Sequence, residues 1–138
     1  SLSDGGFATG SMMGSGGFIV LDEDQCIVKN TYTLARFYRH ESCGQCSPCR
    51  EGTGWMEKIL KNIDTGKGKM SDIDLLWDIQ RKIEGNTICP LGDAAAWPVA
   101  AAIRHFRDEF EWHVNHPEEA QKRNYGLAHY ADPIHVPA

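Results

Sequence analysis

Apolar residues recur every three or four positions in four segments of the chain, with charged and polar residues between them. This spacing predicts amphipathic α-helices that each turn one apolar stripe toward a common core. The predicted helices cover about residues 23–40, 47–66, 70–85 and 93–114. Because only short stretches separate them, the pattern favours an antiparallel four-helix bundle.

The apolar stripes identify the residues that we expect in the core. In chain order they are Ile27, Thr31 or Tyr32, Leu34 and Tyr38; Trp55, Ile59 and Ile63, with Met56 and Leu60 beside them; Ile73, Leu76, Ile79 or Gln80, and Ile83; and Val99, Ala102 or Ile103, Phe106 and Phe110. Aromatic residues in such stripes are expected to fill the core rather than to hold a cofactor.

Capping residues and prolines indicate where the helices begin and end. Ser47 is suited to cap the second helix, with Pro48 at its first position. Gly85 stands where a C-terminal glycine belongs after the third helix. Pro98 is expected to open the main part of the fourth helix, which would leave residues 93–97 as a separate turn.

The first helix is preceded by a glycine-rich stretch and by an apolar run, FIVLD, at residues 18–22, where we expect a strand. The glycines precede this run, whereas a dinucleotide-binding loop follows a strand and opens a helix, so a phosphate loop is disfavoured. Asp22 and Gln25 have capping-box spacing for the first helix. The β-prone letters CIVK and TYT leave a second strand and a shorter helix as the alternative.

Composition narrows the class of protein. Apolar residues make up 41% and charged residues 24%, as in an ordinary globular domain, and no apolar run approaches the roughly 20 residues of a membrane helix. The net charge of −5 argues against binding to nucleic acid or to anionic lipid. The first residues have neither a signal-peptide pattern nor an initial Met, which indicates a piece of something longer.

The most informative motif is HESCGQCSPCREG, at residues 40–52, in which Cys43, Cys46 and Cys49 are spaced three apart. A fourth cysteine, Cys89, follows in the loop between the third and fourth helices. In an antiparallel bundle that loop returns to the end where the second helix starts, so all four thiols are expected at one end. Without a secretion signal, such clustered thiols are more typical of a metal site than of disulfides.

The spacing favours a [4Fe–4S] cluster over zinc. Zinc sites with four thiolates usually have two separated CxxC knuckles, whereas a C-x₂-C-x₂-C run plus a distant Cys-Pro is typical of a cubane cluster. A loop that reaches three corners of one cubane needs a residue such as Gly44 for close approach. The start of the second helix and Arg50 would suit an anionic cluster, although a surface salt bridge is an equal alternative for Arg50.

The other potential ligands have simpler expected roles. Cys26 lies in an apolar run and is predicted to be a buried structural thiol. His105 and His113 are expected on the surface of the fourth helix, and His40 at a solvent-facing helix end. No catalytic residue is predicted, because no paired carboxylates or nucleophile arrangement is visible. A cluster with all four ligands in place has no open position for substrate, which is typical of an electron carrier.

ESCGQCSPCREG together with TICPLGDAAAWPVAAAIRHFRDEF resembles the NADH-binding flavoprotein subunit of respiratory complex I, the bacterial NADH:quinone oxidoreductase. GSMMGSGGFIVLDE also looks like the stretch before the cluster domain in that family, and the similarity covers about residues 9–114. One departure is Pro90, where the family often has Ala.

The resemblance implies that Cys43, Cys46, Cys49 and Cys89 hold one [4Fe–4S] cluster. In the family this cluster takes electrons from reduced FMN and passes them along the peripheral arm toward quinone. FMN and NADH would bind in an N-terminal domain that these residues do not contain. The implied partners are iron–sulfur proteins similar to subunits E and G, and the implied location is cytoplasmic, on the inner face of the bacterial cell membrane without direct insertion.

The expected organisation follows from both lines of reasoning. Residues 1–21 would be the β remnant that ends a ubiquitin-like module of the SLBB type, and 22–114 a mainly α four-helix bundle with the cluster at one end. Residues 115–138 would be an extended tail. The same module also resembles diaphorase subunits of NAD-linked hydrogenases and formate dehydrogenases, which is the first alternative. A zinc-stabilised interaction domain is the second.

Overall fold

The computed structural model describes residues 16–22 and 24–123. Within this part the chain forms five helices. They are α1 (Ile27–Glu41), α2 (Ser47–Asp64), α3 (Met70–Ile83), α4 (Leu91–Asn115) and α5 (Pro117–Arg123). The first four pack as a bundle, which confirms the mainly helical fold.

The core consists of one stripe from each long helix. Its buried side chains include Val28, Tyr32 and Ala35 of α1; Met56, Leu60 and Ile63 of α2; Ile73, Leu76, Ile79 and Ile83 of α3; and Val99, Ala102, Ile103 and Phe110 of α4. The predicted stripe of α3 is therefore confirmed. In α2 the buried stripe is displaced by one residue from the prediction, since Trp55 is half exposed while its neighbour Met56 is fully buried.

The expected strand at residues 18–22 is not formed. Phe18 and Val20 are more than 80% exposed, and no strand occurs among the described residues. An isolated strand has no neighbour to bond its backbone N–H and C=O groups, so β propensity alone does not stabilise it. The residues before 16 lie outside the described part of the chain.

Helix α1 forms where the alternative was a second strand, and it begins at Ile27 rather than near residue 23. Its N-cap is Cys26, whose Sγ accepts a hydrogen bond from the backbone N–H of Lys29 at 3.3 Å. A thiol is a weak acceptor, and the sequence therefore did not single Cys26 out as a cap. Gln25 donates its backbone N–H to the carbonyl of Asp22, a turn that precedes the helix.

Helix α4 differs from its prediction in two ways. Pro98 lies inside a helix that starts at Leu91, so residues 93–97 are part of it rather than a separate turn. The buried residues Ala95, Ala96 and Val99 pack into the core on both sides of Pro98, and this packing outweighs one lost backbone hydrogen bond. The helical geometry is interrupted instead at Phe106, which is 44% exposed and not part of the core, contrary to expectation.

The predicted extended tail, residues 115–138, is helical over Pro117–Arg123, and its residues 124–138 lie outside the described part of the chain. Helix α5 follows α4 after a single residue, His116, and Gln121 donates from Nε2 to the carbonyl of Thr65 at 2.8 Å. Gly66, at φ +72°, has no room for a side chain because an added Cβ would lie 2.6 Å from Pro117 Cβ. Tertiary contact with the turn after α2 therefore stabilises a helix that the polar sequence did not predict.

The helices alternate in direction, which gives the bundle two distinct ends. We call residues 42–49 and 84–90 the cysteine end, and Cys26, residues 64–69 and residues 109–116 the far end. Lys29 near the start of α1 pairs with Asp64 at the end of α2, with Nζ and Oδ2 3.0 Å apart. None of the described helices is both long enough and apolar enough to cross a bilayer.

Candidate metal centre

The loop between α1 and α2 carries Cys43 and Cys46, and Cys49 follows in the first turn of α2. Gly44 adopts φ +77°, in the left-handed region that disfavours other residues. Arg50 reaches back and donates from its guanidinium to the carbonyl of Gly44 at 3.1 Å, and it also pairs with Glu51. Arg50 therefore stabilises the loop that carries the cysteines, and it also forms the surface salt bridge that was one of its two expected roles.

The three thiols of this loop differ in exposure. Cys43 is exposed, Cys46 is half-buried as the N-cap residue of α2, and Cys49 is buried. The hydroxyl of Ser42 lies 3.2 Å from Cys49 Sγ, and Thr53 donates its hydroxyl to the Cys49 carbonyl at 2.7 Å. Cys49 is thus in contact with one residue that precedes it, Ser42, and one that follows it, Thr53, while Cys43 is exposed.

The second loop carries Cys89, which is exposed. Thr87 donates its hydroxyl to the Cys89 carbonyl at 3.0 Å, and an added Cβ on Gly92 would lie 2.4 Å from Thr87 side-chain atoms. The backbone N–H of Gly85 donates to Asp93 Oδ1 at 2.7 Å. Hydrogen bonds within the loop and tight packing on α4 therefore define its path.

Both loops lie at the same end because α2 and α3 touch there. Gly52, in the second turn of α2, packs so closely under Ile83 that an added Cβ would be 2.7 Å from its side chain. Ile83 is the last residue of α3 and Cys49 lies one turn before Gly52. The contact brings the start of the Cys89 loop close to the three-cysteine loop, as the antiparallel topology predicted.

The donor set suits a metal that prefers sulfur. All five cysteines are free thiols, so no disulfide competes for the four at the cysteine end. The N-terminal turns of α2 and α4 both begin beside these thiols, and their unpaired N–H groups favour negative charge. Four thiols on two loops, next to two helix N-termini, fit an anionic iron–sulfur cluster.

The far end holds a thiol in different surroundings. Cys26 is 2% exposed, as predicted, and its Sγ lies 3.2 Å from Nε2 of His113, which is fully buried. The prediction of a surface position for His113 is therefore wrong, whereas His105 and His40 are exposed as expected. The burial of His113 could have been predicted from its position three residues after the core residue Phe110, because this spacing places both side chains on one face of the helix.

Burial raises the pKa of the Cys26 thiol to about 11, and the nearby carboxylates of Glu109 and Asp64 add to this effect. The hydrogen bond from the Lys29 backbone N–H acts in the opposite direction but is weaker than the desolvation. Cys26 is therefore a neutral thiol at physiological pH. It offers no nucleophile there unless its environment changes.

Comparison with known families agrees with the thiol arrangement. The profile of the NADH-ubiquinone oxidoreductase-F iron-sulfur binding region matches residues 29–113. The chain belongs to this family. The matched range contains the four cysteines of the cysteine end and excludes Cys26, and the family description supports an iron–sulfur cofactor.

Curated relatives include the F subunit of the NADH-quinone oxidoreductase of Rickettsia typhi, 48% identical over 119 residues, and that of Rickettsia bellii, 53% identical over 104 residues. An F subunit of the same enzyme in Rhizobium meliloti is 47% identical over 112 residues. The alignments cover 86%, 75% and 81% of this chain but only 26%, 25% and 26% of the relatives. The chain therefore spans about a quarter of the length of the relatives it matches.

Solved structures of an NAD+-reducing [NiFe]-hydrogenase are also similar. The chain from the H2-reduced state superposes with a TM-score of 0.66 at 31% identity, over 83% of this chain and 21% of the hydrogenase chain. The air-oxidised state has the same TM-score at 30% identity. The helical arrangement thus occurs within a much longer chain of an NAD-linked enzyme.

Proposed function

We propose that Cys43, Cys46, Cys49 and Cys89 together hold one [4Fe–4S] cluster and that the domain relays electrons through it. The observation that carries the proposal is the contact of Gly52 with Ile83, which brings the two cysteine-bearing loops to one end of the bundle. Membership of the iron–sulfur binding family supports it.

When bound, a [4Fe–4S] cluster accepts and releases single electrons. The chain's own residues would tune that process. Ser42 is positioned to donate its hydroxyl to Cys49 Sγ, and hydrogen bonds to cluster sulfurs stabilise the more negative, reduced form. The exposed Cys43 and Cys89 mark the side from which a donor or acceptor would approach, while Cys49 faces the bundle.

The proposed setting is an NADH:quinone oxidoreductase, an enzyme and proton translocase of the complex I type. NADH and FMN would bind in a domain beyond these residues, and electrons would leave toward quinone through iron–sulfur proteins similar to subunits E and G. The 47–53% identity to F subunits of this enzyme supports the setting. The complex would lie at the cytoplasmic face of the bacterial cell membrane.

A second candidate is the diaphorase part of an NAD-linked hydrogenase or formate dehydrogenase. The superposition on the NAD+-reducing [NiFe]-hydrogenase favours the hydrogenase form of this alternative. Both candidates assign the same four ligands, so the partners of the domain distinguish them. Affinity purification of the native protein should recover quinone-linked subunits under the first proposal and a hydrogenase large subunit under the second.

The cluster itself is tested by reconstitution without oxygen, followed by iron, sulfide and zinc analysis. We expect about four irons per chain and a broad visible absorption that dithionite bleaches. A colourless protein whose zinc has only sulfur neighbours would instead show the zinc-stabilised interaction domain. With FMN and NADH added, the isolated domain should not reduce ferricyanide at the rate of an intact diaphorase, because it carries no proposed flavin site.

A further inference from the structure

Cys26, Glu109 and His113 bring a thiol, a carboxylate and an imidazole together where α1 begins and α4 ends. One ligand atom from each lies within 4.8 Å of the other two. We propose that these side chains form a second metal site, separate from the four cysteines, for a single divalent cation of the zinc type. The proposal does not rest on the electron-transfer function.

The imidazole is oriented for ligation. His113 Nδ1 lies 2.9 Å from the carbonyl of Glu109, one turn earlier in α4, and donates its N–H to it. The ring then carries a free electron pair on Nε2, the atom that faces Cys26 Sγ at 3.2 Å. Histidines that bind metals commonly donate their other N–H to a backbone carbonyl in this way.

Backbone groups also hold the other two ligands. Cys26 Sγ accepts the N–H of Lys29 at 3.3 Å, and Glu109 Oε1 accepts the N–H of Ile27 at 3.0 Å. Both donors belong to the first turn of α1, where free N–H groups and the helix dipole favour negative charge. These N–H groups would stabilise the carboxylate, and also the thiolate once a cation has displaced the proton of Cys26.

The distance between Cys26 Sγ and His113 Nε2 is close to that of a tetrahedral site. Zinc bonds of about 2.3 Å to sulfur and about 2.0 Å to nitrogen, at the tetrahedral angle, separate the two atoms by about 3.5 Å. The observed 3.2 Å requires a shift of a few tenths of an ångström. Three protein ligands leave the fourth position to water, and Glu109 is the half-buried member of the group.

Charge also favours a divalent cation. A thiolate and a carboxylate sum to −2, so zinc with neutral imidazole makes the buried group neutral. Without the cation, Cys26 keeps its proton and donates a hydrogen bond to His113 Nε2. When the cation binds, the thiol releases this proton to solvent. The ligand types exclude magnesium and calcium, which prefer oxygen, and suit zinc.

The test is zinc binding to the iron-loaded protein, prepared without oxygen and titrated against a competing chelator. We expect one zinc per chain beyond the iron, with mixed sulfur, nitrogen and oxygen neighbours in X-ray absorption at the zinc edge. Cys26→Ala should abolish this binding. Glu109→Gln keeps an oxygen for the Ile27 N–H but removes the charge, and should weaken binding by about tenfold to a hundredfold.

His105→Gln is the matched control, because His105 is exposed on the same helix. It should bind zinc as the unaltered protein does. The proposal is overturned if the iron-loaded protein retains no zinc, if the zinc has only sulfur neighbours, or if Glu109→Gln binds with unchanged affinity. Circular dichroism of each variant shows whether the protein is folded. A fall in iron per chain would reveal zinc that has replaced iron at the four cysteines.

Discussion

The two ends of the bundle place cysteine in contrasting environments. At the cysteine end, four thiols lie on loops or in a first helical turn, and two of them, Cys43 and Cys89, are exposed. At the far end, Cys26 is buried against His113, and its pKa is raised to about 11 by that burial. The comparison shows that helix packing, rather than residue type, decides which thiols are available to a large cofactor.

The largest expected effect is loss of the cluster. Replacing Cys43, Cys46, Cys49 or Cys89 with Ala should remove one corner ligand, so iron per chain should fall from about four to three or fewer. Cys89 should matter most, because it alone joins the second loop to the first. Cys26→Ala is the control from the far end and should keep its iron, with a stability loss of about 1 kcal/mol.

Iron per chain, measured on all five variants prepared without oxygen, shows which cysteines are cluster ligands. If Cys26→Ala lost iron while Cys89→Ala kept a complete cluster, the assignment of the fourth ligand would be wrong. The separation of Cys26 from the three-cysteine loop would then be wrong as well.

The far end should respond to loss of its partly buried ion pair. Lys29→Met removes the ammonium that pairs with Asp64, whose side chain is 5% exposed while that of Lys29 is 32% exposed. Because the pair is only partly buried, we expect a loss of about 1–2 kcal/mol of unfolding free energy, while iron content should not change. Lys82→Met, which breaks the exposed pair with Asp78, should cost less than about 0.5 kcal/mol. Denaturant melts of both variants measure the difference; equal losses would mean that burial of Asp64 is unimportant.

The contact between Gly52 and Ile83, which brings the two cysteine loops together, can be tested with a pair of glycine variants. Gly52→Ala inserts a methyl group 2.7 Å from the confined Ile83, whereas Gly54→Ala meets only the Arg39 side chain at 3.5 Å. We expect Gly52→Ala to lose about 1–3 kcal/mol through overpacking and to release iron faster to a chelator. Gly54→Ala should be neutral or gain up to about 1 kcal/mol of helix stability. The same iron-release rate in both variants would argue against the contact.

The smallest effect concerns tuning at the cysteine end. Ser42→Ala removes the hydroxyl that lies 3.2 Å from Cys49 Sγ, and with it a hydrogen bond that favours the reduced cluster. The reduction potential should fall by tens of millivolts, with iron content unchanged. Ser47→Ala, an exposed position beside the same loop, is the control. A potentiometric titration followed by electron paramagnetic resonance would decide; an unchanged potential would limit Ser42 to a structural role.

Much of the fold followed from local sequence signals. The stripe of α3 and the glycine after it appear as predicted, because spacing and capping act within a few residues. Helix α2 begins one residue earlier than predicted, since Cys46 rather than Ser47 is its N-cap and Pro48 is its second residue. Pro98 misled the prediction, since the burial of Ala95 and Val99 depends on neighbouring helices that the local pattern does not specify. The helical start of the tail was missed for the same reason, because it depends on contact with Thr65 and Gly66.

The candidate metal sites also include parts that the sequence predicts and parts that depend on the packing of the helices. Three closely spaced cysteines are visible in any reading of the sequence, and the topology predicted the side on which Cys89 lies; that all four bind one cluster stays a prediction. The Cys26–His113 contact joins residues 87 positions apart. No spacing rule connects such distant residues, so only the packed bundle reveals them.

In a longer chain, the alternating helix directions would determine where the bundle is attached. Helix α1 enters and helix α4 leaves at the far end, so both covalent connections of the bundle lie on one side. Domains whose two connections lie close together are readily inserted into other proteins. Linkers at the far end can thus change in length or sequence while the cysteine end keeps its shape.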